Sequence, residues 1–265
     1  MKASAGSPLG RIYRLLLKAF GPQGWWPVTP RGARVPVYTP RFYGPRTGAE
    51  MAEICAGAIL TQNTAWTNVE KALAGLHGAG PLTPEGVASC PLPRLAALIR
   101  PSGYYRQKAR RLKELFARVR REHPEGLERW FRSATAEDLR RELLSYRGVG
   151  PETADSIVLY AAGLPSFVID AYTRRIGARL GLARGGDYDR WKALFEAGLP
   201  RRPEVYNEYH ALLVRLGKDF CRKNSPLCGD CPLRLECRYA GRRKDHGKDR
   251  SSARPGRIQK SPRRR

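Results

Sequence analysis

Four of the six cysteines lie close together near the C-terminal end of the chain, as Cys221, Cys228, Cys231 and Cys237. Four unligated thiols at this density are unusual, and a cytosolic chain seldom uses them as a disulfide framework. A set of four thiolates can hold either tetrahedral zinc or an iron–sulfur cluster. Zinc sites tend to use two close pairs, whereas only Cys228 and Cys231 are closely spaced here. The spacing therefore favours one loop wrapped around a 4Fe-4S cluster over a zinc site.

The charge of the chain indicates a polyanionic partner. The 265 residues include 49 Lys and Arg against 24 Asp and Glu, a formal net charge of +25. Arginine makes up most of the excess, and its planar guanidinium suits phosphate. Nucleic acid is the first candidate partner, and an anionic membrane surface is the second. The alternative is that the basic surface only keeps the protein soluble. The chain has no apolar run of transmembrane length and no signal peptide, so we expect a cytoplasmic, nucleoid-associated protein.

Hydrophobic periodicity predicts an all-α fold. Apolar residues recur at helical spacing, and alternation of period two is nearly absent, with Val35 to Tyr38 as its one short candidate. Thr135 followed by Asp138 predicts a helix start, while Gly163 and Gly181 predict helix ends. The predicted helices are Glu50–Leu60, Trp66–Leu76, Tyr104–Arg121, Thr135–Ser145, Pro151–Ala162 and Ala171–Leu180.

A glycine-rich turn joins two of these helices. The residues Arg147, Gly148, Val149 and Gly150 lie between a helix ending near Tyr146 and one starting at Pro151. Glycine permits positive φ and leaves backbone N–H groups accessible beside the positive end of the second helix. Such a turn can bind a phosphate oxygen through the main chain without reading base sequence. An ordinary helix connection that needs glycine is the alternative.

Together these features resemble the helix-hairpin-helix (HhH-GPD) DNA glycosylase superfamily, in its endonuclease III-like form. The resemblance rests on the hairpin 148–150, the segment 168–175 (VIDAYTRR) and the cysteine spacing C-x6-C-x2-C-x5-C. It implies a six-helix barrel over residues 44–162. It also implies a second helical domain, formed by 1–43 and 163–240, that carries the cluster loop 221–237. The composition of residues 241–265 predicts a disordered basic tail.

Within the superfamily, the sequences of several segments are similar to those of the 3-methyladenine DNA glycosylase III branch. That branch is monofunctional and removes alkylated purines, although its best-known bacterial member lacks the cluster. The segments are 24–27 (GWWP), 59–64 (ILTQNT), 101–109 (PSGYYRQKA) and 151–155 (PETAD).

The resemblance assigns catalysis to Asp170 and Glu152. A carboxylate at 170 can stabilise an oxocarbenium-like sugar and orient or deprotonate water, and an aspartate there is also a favoured helix N-cap. Endonuclease III carries lysine where this chain has Glu152, and a glutamate cannot form the imine that leads to strand cleavage. Glu152 can instead hold an extruded base, while compensation of the helix dipole is the alternative.

A glycosylase must also flip its target base out of the stack. Gln62 matches the gap-filling residue of the family, with Asn63 beside it; helix capping is the alternative for both. Trp25 and Trp26 are candidate walls of the base pocket, by stacking and cation–π attraction, with core packing as the ordinary role. We also expect Lys218 to lie in this pocket. Its alternative roles are those of a nucleophile, an ion-pair partner or a phosphate contact.

We therefore expect a monomeric, monofunctional glycosylase that acts on damaged double-stranded DNA and carries a 4Fe-4S cluster. One alternative is a glycosylase for oxidised pyrimidine, uracil or a mismatched base. The other is a non-catalytic DNA-binding protein.

Overall fold

The computed structural model describes residues 7–44, 47–80 and 82–243, and its regular structure there is helical, which confirms the all-α prediction. Val28 and Val37 form an isolated bridge, so the short segment around Val35 to Tyr38 does not extend into a sheet. The α-helices are α1 (Pro8–Phe20), α2 (Gly48–Leu60), α3 (Trp66–Gly78), α4 (Pro84–Ser89), α5 (Leu92–Leu98), α6 (Tyr105–Glu122), α7 (Leu127–Ser133), α8 (Ala136–Leu144), α9 (Pro151–Ser156), α10 (Ala171–Leu180), α11 (Tyr188–Gly198), α12 (Pro203–Asp219) and α13 (Arg238–Arg243).

Side-chain caps fix the start of the helices that border the site. Thr47 and Glu50 form a reciprocal capping box at α2, with Thr47 N donating to Glu50 Oε2 at 2.8 Å. Thr135 caps α8 as predicted, since its Oγ1 accepts from Asp138 N at 3.1 Å. Each cap satisfies an N–H group that the first helical turn would otherwise leave unpaired.

The structure differs from the prediction at the end of one helix and at the start of the C-terminal tail. The helix after Pro151 is α-helical only to Ser156 and continues as a π-helical turn over Ile157–Ala161, closed by the bond from Ala162 N to Ile157 O. At the C-terminus, α13 runs past the predicted start of the tail at 241, and residues 244–265 lie outside the described residues. Gly181 ends α10 in the left-handed conformation, as predicted.

The helices pack as two groups around a continuous core. In one group α6 contacts α4 and α5, and α2 packs against α3, α6, α7 and the π-helical turn. In the other, α12 packs against α1 and α10, and α10 also contacts α13. The contact between α12 and the π-helical turn joins the two groups. The division into domains at 44 and 162 stays a prediction.

None of the helices within the described ranges combines the length and the hydropathy needed to cross a bilayer.

Candidate active site

The hairpin between α8 and α9 presents its backbone rather than its side chains. Val149 is only 6% exposed, and its N–H donates to Tyr146 O at 3.1 Å. Its side chain packs in the core, and its place among the DNA-contacting residues stays a prediction. Within the described chain, the N–H groups of Gly148 and Gly150 have no acceptor, and the Arg147 side chain is exposed. Two free amides at the start of α9 form a concavity suited to a phosphate oxygen.

The conformation of the hairpin depends on Gly148. Its φ is +83°, and a Cβ atom built there would lie 2.7 Å from Cδ of Arg111. We expect Gly148→Val to lower the free energy of unfolding by about 2 kcal/mol, because a β-branched residue is strained at positive φ. Urea titration measures this. Gly150, at φ −92° with open space around its Cβ, is the matched site, and Gly150→Ser should stay within about 0.5 kcal/mol of wild type. Equal losses in both variants would contradict the dependence on residue 148.

Gln62 connects the α2–α3 loop to the hairpin. Its Nε2 donates to Gly148 O and to Thr153 Oγ1, both at 3.0 Å, and its Oε1 accepts from Arg111 Nη1 at 2.5 Å. These bonds occupy the amide that was predicted to fill the gap left by a flipped base. Asn63, which follows it, is exposed and adopts φ +54°. Asn63 is thus the more exposed side chain of the pair, and the gap-filling role of both residues stays a prediction.

A second exposed side chain lies just before α6, and the sequence reasoning assigned it no role. Tyr104 is 72% exposed at φ +46°. Buried Lys108 links the end of α2 to the turn before Tyr104, because its Nζ donates to Leu60 O and to Ser102 O, both at 2.8 Å. Burial lowers the pKa of Lys108 to about 8. One feature of the sequence could have pointed to this residue. A large aromatic side chain directly follows Gly103, at a turn where burial in the core is not expected.

Asp170 lies in a cleft of about 420 Å³ that the hairpin side borders through Gln62 and Thr153. It is the N-cap of α10, and its Oδ1 accepts from Thr173 N at 2.7 Å. Both readings of this aspartate from the sequence are thus compatible: the cap fixes one oxygen, and the other remains available. The cleft is open to solvent and includes Glu152, Asn63 and Tyr172, so the predicted catalytic and gap-filling residues meet in one place.

Glu152 shares this cleft with Asp170. The residue is solvent-accessible at the mouth of the cleft, yet desolvation there and the negative charge of Asp170 raise its pKa to about 7, against a smaller lowering by Arg174. Glu152 therefore changes protonation state near neutral pH. Two carboxyl groups in one cleft with separate environments are typical of a site that handles protons or developing positive charge.

The two predicted pocket tryptophans have different environments. Trp25 lines a second cleft of about 330 Å³ together with Tyr38 and Lys218, and the role of this cleft as a base pocket stays a prediction. Trp26 is 7% exposed and packs against Trp66 and Tyr160, with ring centroids 5.3 Å from each. The core-packing role applies to Trp26, because α2 approaches its ring closely at Gly57.

Two buried carboxylates hold the segment that carries these tryptophans. Glu208 on α12 accepts from Gln23 N at 2.7 Å, and Glu53 on α2 accepts from both the N–H and the hydroxyl of Thr29. His77 adds a contact to Glu53 at 3.0 Å. The segment has little regular structure of its own, so these bonds fix the position of Trp25.

The four clustered cysteines are free thiols in the loop after α12. Arg179 on α10 donates to Cys221 Sγ at 3.2 Å, and its carbonyl oxygen accepts from Cys237 Sγ at 3.4 Å. Burial, with smaller effects from the other three thiols, raises the pKa of Cys231 to about 11. In the part of the chain described here, no three His, Cys, Asp or Glu side chains have metal-site geometry. The four sulfur donors, with the Arg179 guanidinium beside Cys221 Sγ, are of the chemical type that fits an anionic iron–sulfur cluster.

Two solved structures resemble this fold over most of their own length. A Helicobacter pylori 3-methyladenine DNA glycosylase (MagIII), bound to 1,N6-ethenoadenine, aligns with a TM-score of 0.62 at 25% identity, over 80% of this chain and 97% of its own. A non-covalent endonuclease III–DNA complex aligns with a TM-score of 0.68 at 24% identity, over 90% of this chain and 99% of its own, a likeness of fold.

The sequence comparisons define the family. A model of the HhH-GPD superfamily of base excision DNA repair proteins matches residues 56–201, and the chain belongs to this superfamily. A protein of Methanocaldococcus jannaschii that carries the name of a DNA repair glycosylase is 40% identical over 89% of this chain and 99% of its own length. Endonuclease III of Thermotoga maritima is 29% identical over 72% of this chain and 84% of its own.

Proposed function

We propose that this chain is a monofunctional DNA glycosylase that hydrolyses the N-glycosidic bond of a flipped, damaged base in double-stranded DNA. An alkylated purine is the substrate class that we favour. The observation that carries the proposal is the Asp170 carboxylate, fixed by its helix cap in an open cleft that the glycine hairpin borders. The hairpin would hold the phosphate chain while the sugar of the flipped nucleotide meets the free oxygen of Asp170.

The chemistry needs little beyond a well-placed carboxylate. As the bond from C1′ to the base nitrogen breaks, its electron pair leaves with the base and positive charge develops on the sugar. Asp170 stabilises that charge, and a water molecule attacks C1′ while Asp170 accepts its proton. A purine nucleoside alkylated at N3 or N7 is cationic before cleavage, and its base leaves neutral. It therefore needs no proton from the enzyme, which suits a site rich in carboxylates.

The second cleft supports the choice of an electron-poor base. Trp25 and Tyr38 offer aromatic faces, and a cationic purine stacks on indole with a cation–π contribution. The H. pylori structure, which holds a modified purine, supports the same class. Lys218 at this cleft is the group that would contact the base or an adjacent phosphate.

Glu152 supports release of the base without strand cleavage. Strand cleavage through an imine requires an amine beside C1′, and the cleft presents carboxyl groups there instead. In its ionised form above about pH 7, Glu152 adds negative charge beside the cationic base and sugar. We assign the gap left by the flipped base to Asn63 and Tyr104, exposed side chains close in sequence to the two carbonyl groups that Lys108 binds. We propose that the chain acts as a monomer, with a barrel domain over 44–162.

We also propose that Cys221, Cys228, Cys231 and Cys237 hold a 4Fe-4S cluster. The cluster would have a structural role. Through Arg179 the loop contacts α10, the helix that begins at Asp170, so the loop braces the helix that positions the catalytic carboxylate.

The cluster proposal predicts the iron content of the purified protein. Wild type should contain about four iron atoms per chain with visible absorbance, and Cys231→Ser should lose most of both. Anaerobic purification followed by an iron assay measures this. Cys90→Ser is the control, since Cys90 is a half-buried cysteine outside the loop and should leave the iron content unchanged. Stoichiometric zinc without iron in wild type would contradict the assignment.

A panel of labelled duplexes, each with one lesion, tests the proposed function. We expect release of 3-methyladenine- or 7-methylguanine-type bases, with the strand intact until alkali is added. Release confined to oxidised pyrimidine, uracil or a mismatched base would overturn the substrate class. Tight binding without release on any duplex would support the non-catalytic alternative.

A further inference from the structure

A buried histidine lies directly behind the free oxygen of Asp170. His210 is on α12, and its Nε2 lies 3.7 Å from Asp170 Oδ2, with the side chain 9% exposed. No hydrogen-bond partner contacts this Nε2 among the described residues. A buried imidazole nitrogen without a partner is costly, so its orientation toward a catalytic carboxylate calls for a functional explanation.

The Tyr160 hydroxyl faces the other ring nitrogen of His210. It lies 2.6 Å from His210 Nδ1, and both side chains are buried. Burial raises the pKa of Tyr160 well above its usual value and lowers the pKa of His210, while the charge of Asp170 raises the pKa of His210. When Tyr160 donates to Nδ1, the ring proton of a neutral His210 is on Nε2, which lies toward Asp170.

We propose that Tyr160 and His210 form a positioning pair for the hydrolytic reaction, in which the Nε2–H of His210 holds the free oxygen of Asp170 toward the sugar. This inference rests on the proposed function of Asp170. In the free protein the separation of 3.7 Å is too long for a hydrogen bond. The bond forms when DNA closes the cleft and the contact shortens to about 3 Å. The π-helical turn contributes by carrying Tyr160 toward α12.

In the closed state both oxygens of Asp170 are held. Thr173 N already bonds Oδ1 in the free protein, and His210 bonds Oδ2 once the contact has shortened, so the carboxylate keeps its orientation as charge develops on the sugar. Neither Tyr160 nor His210 needs to touch the substrate. Their loss should therefore slow the chemical step and leave DNA binding unchanged.

Variants at both positions test the pair on the duplex that wild type cleaves best, with enzyme in excess. We expect His210→Leu and Tyr160→Phe to slow base release by about tenfold to a hundredfold, the range for a hydrogen bond to a charged group, with an unchanged Kd for DNA. His210→Gln, which retains an N–H group near the Nε2 position, should recover most of the rate. The double variant Tyr160→Phe/His210→Leu should be no slower than His210→Leu alone, because Tyr160 acts through His210.

Tyr209→Phe is the matched control, because Tyr209 is the neighbouring buried tyrosine on α12 and its hydroxyl has no partner in the described structure. It should release the base at the wild-type rate. Wild-type rates of base release in both His210→Leu and Tyr160→Phe would overturn the inference. It would also be overturned if the slower release in these two variants came with comparable losses of DNA affinity and of melting temperature. If Asp170→Asn is inactive while these variants are not, the proposed function stands and only the pair fails. If Asp170→Asn is as active as wild type, the proposed function fails first.

Discussion

Asp170→Asn is expected to release the damaged base about a hundredfold to a thousandfold more slowly than wild type, the range seen when one group that stabilises transition-state charge is removed. Asparagine keeps the hydrogen bond from Thr173 N that caps α10, and so keeps the fold. It removes the negative charge that faces the sugar and the group that accepts the proton of water. Single-turnover assays with enzyme in excess measure the rate, and fluorescence anisotropy on the same duplex measures binding, which should not weaken.

Asp187→Asn provides the matched control for this variant. Asp187 caps α11 in the same manner, with its Oδ1 accepting from Arg190 N at 2.8 Å, but it does not line the cleft. The two variants make the same chemical change at the same helical position, so a defect confined to residue 170 reports on chemistry. Comparable rates in Asp170→Asn and wild type would remove the carboxylate from the mechanism.

Much of the fold followed from local sequence, because caps and periodicity act over a few residues. Thr135 and Gly181 bound their helices as predicted, and the apolar stripes of α2, α3 and α6 are buried. The π-helical turn at Ile157–Ala161 was not predictable in this way. Its side chains are apolar at spacings that suit an α-helix equally well, and the wider turn is evident only from the backbone bond between Ala162 N and Ile157 O.

The site residues that were predictable from the sequence are those whose location follows from a helix start. An aspartate before α10 and a glutamate after the hairpin are placed by helix starts, and the structure brings both into one cleft. The roles of Gln62, Trp26 and Val149 depend on tertiary neighbours instead. Arg111 and Gly148 occupy the Gln62 amide, while α2 and Tyr160 enclose Trp26. His210 could not be assigned at all, since Tyr160 and Asp170 are far from it in sequence and meet it only in the folded chain.

Glu152→Lys is expected to convert a protein that forms no covalent adduct into one that borohydride traps on an abasic duplex. The environment that raises the pKa of Glu152 to about 7 through desolvation would lower the pKa of an amine, while Asp170 opposes that effect. A neutral lysine fraction beside C1′ can attack the open sugar, lose water and form an imine that borohydride reduces. Denaturing gels detect the adduct as a slower band, and wild type should show none.

The abasic duplex makes this test independent of base release, so it reports only on where residue 152 lies relative to the sugar. Glu137→Lys is the control, because it makes the same change in charge on the exposed side of α8, where Glu137 pairs with Arg201. An adduct in Glu152→Lys alone would place residue 152 beside C1′ and explain why glutamate leaves the strand uncut. Trapping of wild type would instead mean that another amine, with Lys218 the first to examine, reaches the sugar. An absence of adduct in Glu152→Lys would mean that residue 152 contacts the base or the phosphate chain and not the reacting carbon.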